Sequence, residues 1–248
     1  MERWSNRVAV VTGASSGIGE ATAADLCKAG LKVVALARRE DRLHENRSKL
    51  PKELQSKFYP RKCDVSNEAE VKETFEWIEK TLGGVDILVN NAGVNRIGKL
   101  VDMDTADIDT VLNTNVKGLV YCTQAAYKSM KERNFAGHIV HINSIAGQKP
   151  IDMGKDISFN IYPASKYAVT AINETLRNEL RHLGTKIKTT SISPGLVRTE
   201  IGTKVFFDLF GDVILNPEDV SQAILYAIST PPHVQIHEIT IKPVGEEA

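Results

Sequence analysis

The sequence predicts an α/β protein, a single doubly wound domain with a seven-stranded parallel sheet and helices on both faces. Short β-branched runs alternate with helical patterns from one end of the chain to the other, as expected when parallel strands are joined by helical crossovers. No repeat, low-complexity stretch or linker divides the 248 residues, and one domain of this class can use them all. Right-handed crossovers then generate the doubly wound form, in which ligands bind beyond the carboxyl ends of the strands.

The elements follow in order. Arg7–Thr12 is apolar at nearly every position and reads as a strand buried on both faces. Gly17 to about Lys28 reads as a helix with Ala21, Ala24 and Leu26 near its packing face. Lys32–Ala37 is the second strand and Phe58–Cys63 a weaker third. Glu68–Leu82 carries Val71, Phe75 and Ile78 at helical spacing. Val85–Asn90 is the fourth strand. Asp104 to about Arg133 suits one extended helix or two abutting ones. Gly137–Asn143 is the fifth strand, Tyr162–Leu183 a helix, Ile187–Ser193 the sixth strand, Pro217–Ser229 a helix and Ile236–Ile241 the last strand.

Composition excludes several classes. Lys and Arg number 31, and so do Asp and Glu, which gives no electrostatic case for nucleic acid or an anionic membrane as partner. The first residues are too polar for a signal peptide core, and no apolar run approaches the ~18 residues of a membrane span. Cys27, Cys63 and Cys122 lie far apart without a C-x-x-C pair. Reduced thiols, and so a cytoplasmic location, are expected. The six histidines are scattered. His138 and His141 share a strand but point to opposite faces, so no metal site is expected.

The first strand runs into Thr12-Gly13-Ala14-Ser15-Ser16-Gly17-Ile18-Gly19 and then directly into a helix. Glycines let backbone amides approach a pyrophosphate closely, and a helix N-terminus adds free N–H donors. A turn that merely connects strand to helix is the plainer alternative. Further along, Asp64-Val65 follows the third strand and Asn90-Asn91-Ala92-Gly93 the fourth. Asn115 stands in Asn-Val-Lys-Gly, and Ser144 follows the fifth strand. Tyr162-Pro163-Ala164-Ser165-Lys166 opens a helix, and Pro194-Gly195 follows the sixth strand, with Val197 and Thr199 just beyond.

The T-G-x-x-x-G-x-G, N-N-A-G, Y-x-x-x-K and P-G elements, in this order and over essentially the whole chain, resemble the short-chain dehydrogenase/reductase family. Within it, the chain looks most like the NADP-dependent, farnesol-dehydrogenase-like group and the related carbonyl (ketosteroid) reductases. The resemblance implies a Rossmann-type sheet and nicotinamide-dependent redox chemistry. It assigns cofactor contacts to Gly13, Ser15, Ser16, Gly17, Ile18 and Gly19. Further contacts fall on Asp64 and Val65 beside the adenine, and on Asn91, Ala92, Gly93, Pro194, Gly195, Val197 and Thr199.

Charge decides which nicotinamide is expected. The second strand ends at Ala37, where an acid would bind the ribose hydroxyls of NAD, and Arg38 and Arg39 follow. Guanidiniums suit a 2′-phosphate, so NADP(H) is expected. Glu40 lies near the offset at which NAD enzymes carry their acid. We read it instead as part of the first turn of the next helix, where acids favour the helix dipole.

Tyr162 and Lys166 are four positions apart on a helix and share one face. A nearby ammonium, with the positive oxidised nicotinamide, would favour the phenolate. Tyr162 is then the general acid/base and Ser144 holds the reacting oxygen. Lys166 also holds the nicotinamide ribose, and Asn115, by resemblance, anchors a water leading to Lys166. Each residue has an ordinary alternative: a surface Tyr–Lys pair, a serine cap. A non-catalytic NADPH-binding sensor or scaffold would lack one of the three, and all are present.

The interval from Ser144 to Tyr162 is longer than the family's usual one, so 145–161 reads as an inserted loop. It carries Ile151, Met153, Ile157 and Phe159. The second loop, 196–216, carries Ile201, Val205, Phe206, Phe207, Leu209, Phe210, Val213 and Ile214. Both are expected to flank a lipophilic alcohol or carbonyl substrate such as an isoprenoid or steroid. Ala168, Val169, Ala171, Ile172 and Leu176 exceed one narrow buried stripe. With the family's habit of pairing long helices between subunits, they predict a homodimer or homotetramer.

Overall fold

Seven short apolar runs pair side by side, all parallel, in the order β3-β2-β1-β4-β5-β6-β7. They are β1 (Val8–Thr12), β2 (Lys32–Ala37), β3 (Phe58–Lys62), β4 (Ile87–Asn90), β5 (His138–Ile142), β6 (Lys188–Pro194) and β7 (Glu238–Ile241). The computed structural model describes residues 1–152, 158–201 and 211–246. Met153, Ile157, Val205, Phe206, Phe207, Leu209 and Phe210 lie outside the described residues.

Alternation along the strands sorts the core into two layers. Ala9, Val11, Val33, Ala35, Ile87 and Val89 face one layer. It is covered by α1 (Gly17–Lys28), α2 (Glu40–Lys49) and the helix Pro217–Ser229, which follows the short α3 (Lys52–Gln55) and the helices below in chain order. Val8, Val10, Val34, Leu36, Leu88 and Ile139 face the other. There α4 (Glu68–Leu82), α6 (Leu119–Glu132) and α7 (Tyr162–His182) contribute Val71, Phe75, Ile78, Cys122, Ala126, Met130 and Leu180. Pro217–Ser229 is α8.

The caps explain where helices begin. The Asn67 side chain accepts from the amides of Ala69 and Glu70 at the start of α4, satisfying two orphan donors. Asn216 and Asp219 form a reciprocal capping box on α8.

Asp104 to Arg133 resolves the open alternative. α5 (Thr105–Leu112) runs into a wider π turn, Asn113–Gly118, and then into α6 without a break. One expectation holds in part. The buried residues of α1 are Gly19, Thr22, Ala23, Leu26 and Cys27, and Ala24 packs half-buried against the same core. Ala21 is half-buried and not among the residues packed on it.

The sheet order reverses between β1 and β4, and this switch point opens the crevice where such folds bind ligands. The carboxyl ends of β1, β2, β4, β5 and β6 place Gly13, Arg38, Asn91, Ser144 and Gly195 on the same rim.

Candidate active site

Two joined cavities occupy this rim. One, of ≈ 540 Å³, runs over the glycine-rich turn. Its walls include Gly13, Ser15, Ser16, Gly17 and Ile18, the tip residues Ala37, Arg38 and Arg39, and Asp64, Val65, Ala92 and Gly93. The other, of ≈ 690 Å³, is walled by Asn143, Ser144, Tyr162, Lys166, Pro194, Gly195 and Val197. Ile18, Asn91, Gly93 and Thr199 border both.

The glycines have separate reasons. Gly17 has φ +58°, and a Cβ there would meet Thr199 Cγ2 at 2.8 Å. Gly19 lines neither cavity. A Cβ on it would overlap the Asn91 amide and the Gly13 carbonyl, so it lets β4's turn pack on β1's. That turn is clamped: Thr12 Oγ1 accepts from the amides of Asn91 (3.0 Å) and Ala92 (2.9 Å), and Asn91 Nδ2 donates to Thr12 O at 2.8 Å.

At the tip of β2, Arg39 donates to the hydroxyls of Ser15 and Ser16, each at 3.0 Å. Arg38 is exposed. Glu40 opens α2, as expected from its place in the sequence. The Asp64 carboxylate accepts from the amide and hydroxyl of Ser66 and shapes the turn after β3.

Ser144 does two things. Its Oγ accepts from the Ala146 amide at 3.1 Å, capping a short 3₁₀ turn, and it hydrogen-bonds the Tyr162 side chain. Tyr162 starts α7 with Pro163 in the first turn. Lys166 is 7% exposed and donates to the Ile142 carbonyl at 2.9 Å. Asn115 lies behind the cavity wall. Its Oδ1 accepts from the Val94 amide, and its Nδ2 donates to Val94 O and Ser165 Oγ.

Burial dominates the electrostatics of this wall. Burial pushes the Tyr162 phenol up to about 12, against a smaller opposing effect of the Ser144 hydrogen bond. Burial also brings Lys166 down to about 8. The Lys166 ammonium is engaged by the Ile142 carbonyl. Such a wall presents a protonated phenol and a hydroxyl to a buried space, an arrangement that can protonate and hold a carbonyl oxygen.

Sequence reasoning missed two acids and a base. Glu200 pairs with Arg39 and Arg42 beside the glycine turn. Glu246, from the C-terminal end, lies against Gly195 and accepts from the Leu196 amide at 3.3 Å. Only the tertiary fold joins these distant positions. Arg42, in the first turn of α2 three positions after the N-cap Arg39, carried a weak signal.

Residues 7–208 match the short chain dehydrogenase family. The chain belongs to this family, the short-chain dehydrogenases/reductases, and is an oxidoreductase. It is 54% identical to a farnesol dehydrogenase of Aedes aegypti over 248 residues, all of both chains. It is 42% identical to dehydrogenase/reductase SDR family member 11 of Mus musculus, over 99% of this chain and 97% of the relative. Among solved structures it resembles the closed form of serine dehydrogenase complexed with NADP+. There the identity is 34% and the TM-score 0.87, with 97% of this chain and 96% of that one covered. Among the described residues, no helix is long and apolar enough to cross a membrane.

Proposed function

We propose that this chain is an NADP(H)-dependent oxidoreductase acting on an apolar alcohol or carbonyl compound, with Tyr162 as general acid/base. The observation that carries the reading is that Ser144, Tyr162 and Lys166 share one cavity wall that continues into the groove over the glycine turn.

The residues present fit the cofactor. The groove begins at an α1 N-terminus whose Ser16 makes no side-chain cap, leaving its amides for a pyrophosphate. The β2 tip carries guanidiniums and no carboxylate, which supports the 2′-phosphate form. The serine dehydrogenase relative holds NADP+. Gly13, Ser15, Ser16, Gly17 and Ile18 would line the phosphates. Arg38 and Arg39 would hold the 2′-phosphate, and Asp64 and Val65 the adenine. Asn91, Ala92, Gly93, Pro194, Gly195, Val197 and Thr199 would lie along the nicotinamide half. A bound nicotinamide supplies or accepts the hydride.

The protein's own groups handle the proton. In reduction Tyr162 donates its phenolic proton to the carbonyl oxygen, and Ser144 donates a hydrogen bond to the same oxygen. The phenol, held protonated by burial, suits this direction. The Lys166 ammonium, which burial lowers to about 8, lies beside the Tyr162 ring and is held by the Ile142 carbonyl. Asn115 acts as a positioning residue, tying Val94 to Ser165 beside Tyr162.

The test is NADPH oxidation by the purified protein with a panel of ketones and aldehydes. Turnover is expected. Cofactor binding without turnover across the panel overturns the reading in favour of a sensor or scaffold.

A further inference from the structure

Glu200 follows the turn after β6 and reaches back across the chain to the glycine-rich turn. Its Oε2 accepts from Ser16 Oγ at 3.1 Å and pairs with Arg39 Nη1 at 2.9 Å, while Oε1 pairs with Arg42. Arg39 is held in place from behind by the hydroxyls of Ser15 and Ser16. One carboxylate thus sits among two guanidiniums and a hydroxyl, at the edge of the groove that Ser15, Ser16 and Arg39 line. Only an anion suits that position, and the three donors hold the Glu200 carboxyl well below its ordinary range.

We propose that Glu200 is a resident anion in the site for the cofactor's 2′-phosphate, and that Arg42 joins Arg39 as a ligand of that phosphate. NADPH then binds by anion exchange, its phosphate displacing the Glu200 carboxylate from both guanidiniums. The inference rests on the NADP(H) reading and extends it to two residues outside the family's motifs.

The chemistry favours exchange in this direction. A phosphate monoester carries nearly two charges and three acceptor oxygens, against one charge and two oxygens for a carboxylate. Arginine forks bind either group in the same bidentate way. The pairs being broken are weak: the side chains of Arg39, Arg42 and Glu200 are 44%, 40% and 51% exposed, and ion pairs that solvent reaches are easily exchanged. NADH brings no phosphate, so it leaves Glu200 where it is. The carboxylate therefore subtracts from NADPH affinity while it keeps two guanidiniums ordered and neutralised before the cofactor arrives.

Dissociation constants for NADPH, NADH, adenosine 2′,5′-bisphosphate and ADP are measured by calorimetry on the wild type, Glu200→Gln and Arg42→Ala. Melting curves check that each variant is folded. Glu200→Gln is expected to tighten NADPH and the bisphosphate by about two- to tenfold, the scale of one or two exposed ion pairs. NADH and ADP should stay within about twofold. Arg42→Ala is expected to weaken NADPH at least about fivefold more than NADH. Unchanged or weaker NADPH binding in Glu200→Gln overturns the resident-anion role. Equal effects of Arg42→Ala on both cofactors overturn the phosphate contact. If the wild type itself binds NADPH no better than NADH, the NADP(H) reading has failed, an outcome distinct from both.

Discussion

Lys166 Nζ lies 5.6 Å from the centroid of the Tyr162 ring and gives its hydrogen bond to the carbonyl that ends β5, Ile142 O. The ammonium is near the phenol without touching its oxygen. That arrangement leaves burial as the main influence on Tyr162, and it favours the protonated phenol.

Tyr162→Phe should therefore keep the fold and NADPH affinity, because the ring still packs against Phe159 with centroids 6.4 Å apart. Turnover should fall by ~10²–10⁴-fold, the usual size of a lost general acid. Steady-state rates and cofactor titration on the same preparation separate the two. Activity within a few-fold of the wild type would remove Tyr162 from this role.

The fold and the Ser144, Tyr162 and Lys166 wall were legible because each depends on local pattern. A buried β-branched run makes a strand, a glycine turn at its end opens a helix, and Y-x-x-x-K puts two side chains on one helix face. The phase of α1 was legible only in part: Leu26 and Ala24 pack on the core, but small neighbouring alanines left Ala21 and Ala23 hard to tell apart. Glu200 and Glu246 were not legible either. Each meets its partners across the sheet rim, where sequence distance carries no information. The hydrogen-bond partner of Lys166 was not legible for a related reason. Charge proximity was readable from spacing, but the Ile142 carbonyl that engages Lys166 was not.

The two histidines of β5 predict a loss of stability in acid. His138 and His141 are both fully buried, and burial, reinforced by Lys188 at His138 and by Lys166 at His141, brings each down to about 3. An unfolded histidine titrates near 6.5, so below that pH the unfolded chain binds more protons than the folded one. Their contribution is complete above pH ~6.5 and is lost as pH falls toward 3. Between pH 6.5 and 5 the pair should cost roughly 3 kcal/mol. Urea unfolding at several pH values measures the slope. His138→Gln and His141→Gln should each make it shallower, and a slope unmoved by either change would exclude the histidines as its source.

The outer face of α7 predicts self-association. Val169 is fully buried and Leu176 packs half-buried against the core, while Ala168 and Ile172 are half-buried. Ala171 is exposed and Tyr167 is 43% exposed, one helical turn apart. A small residue beside a large aromatic suits close approach of a second copy of the same helix. Light scattering at micromolar concentration should report a dimer or tetramer. A single 27.3 kDa species would show that this face meets only solvent.

The shape and lining of the larger cavity predict its substrate. Its ≈ 690 Å³ would be shared by the nicotinamide half of the cofactor and a substrate. Away from Ser144 and Tyr162 its walls are mainly Ile145, Ile151, Phe159, Leu196, Ile201 and Val213. These come from both loops expected to flank the reacting carbon, so the two segments meet over one space. Among the described residues, the charged side chains there are those of Lys166, Asp152 and Glu246. A hydrocarbon chain against such walls gains ~0.8 kcal/mol per buried methylene, or about fourfold in kcat/KM for each carbon added. In a series of methyl ketones or primary alcohols of growing length, kcat/KM should rise steeply until the cavity is filled. Ile151→Ser and Val213→Ser should flatten the rise while NADPH affinity stays unchanged, because neither residue lines the cofactor groove. A flat or falling trend in the wild type, or a preference for sugars and other polyols, would rule out a lipophilic substrate.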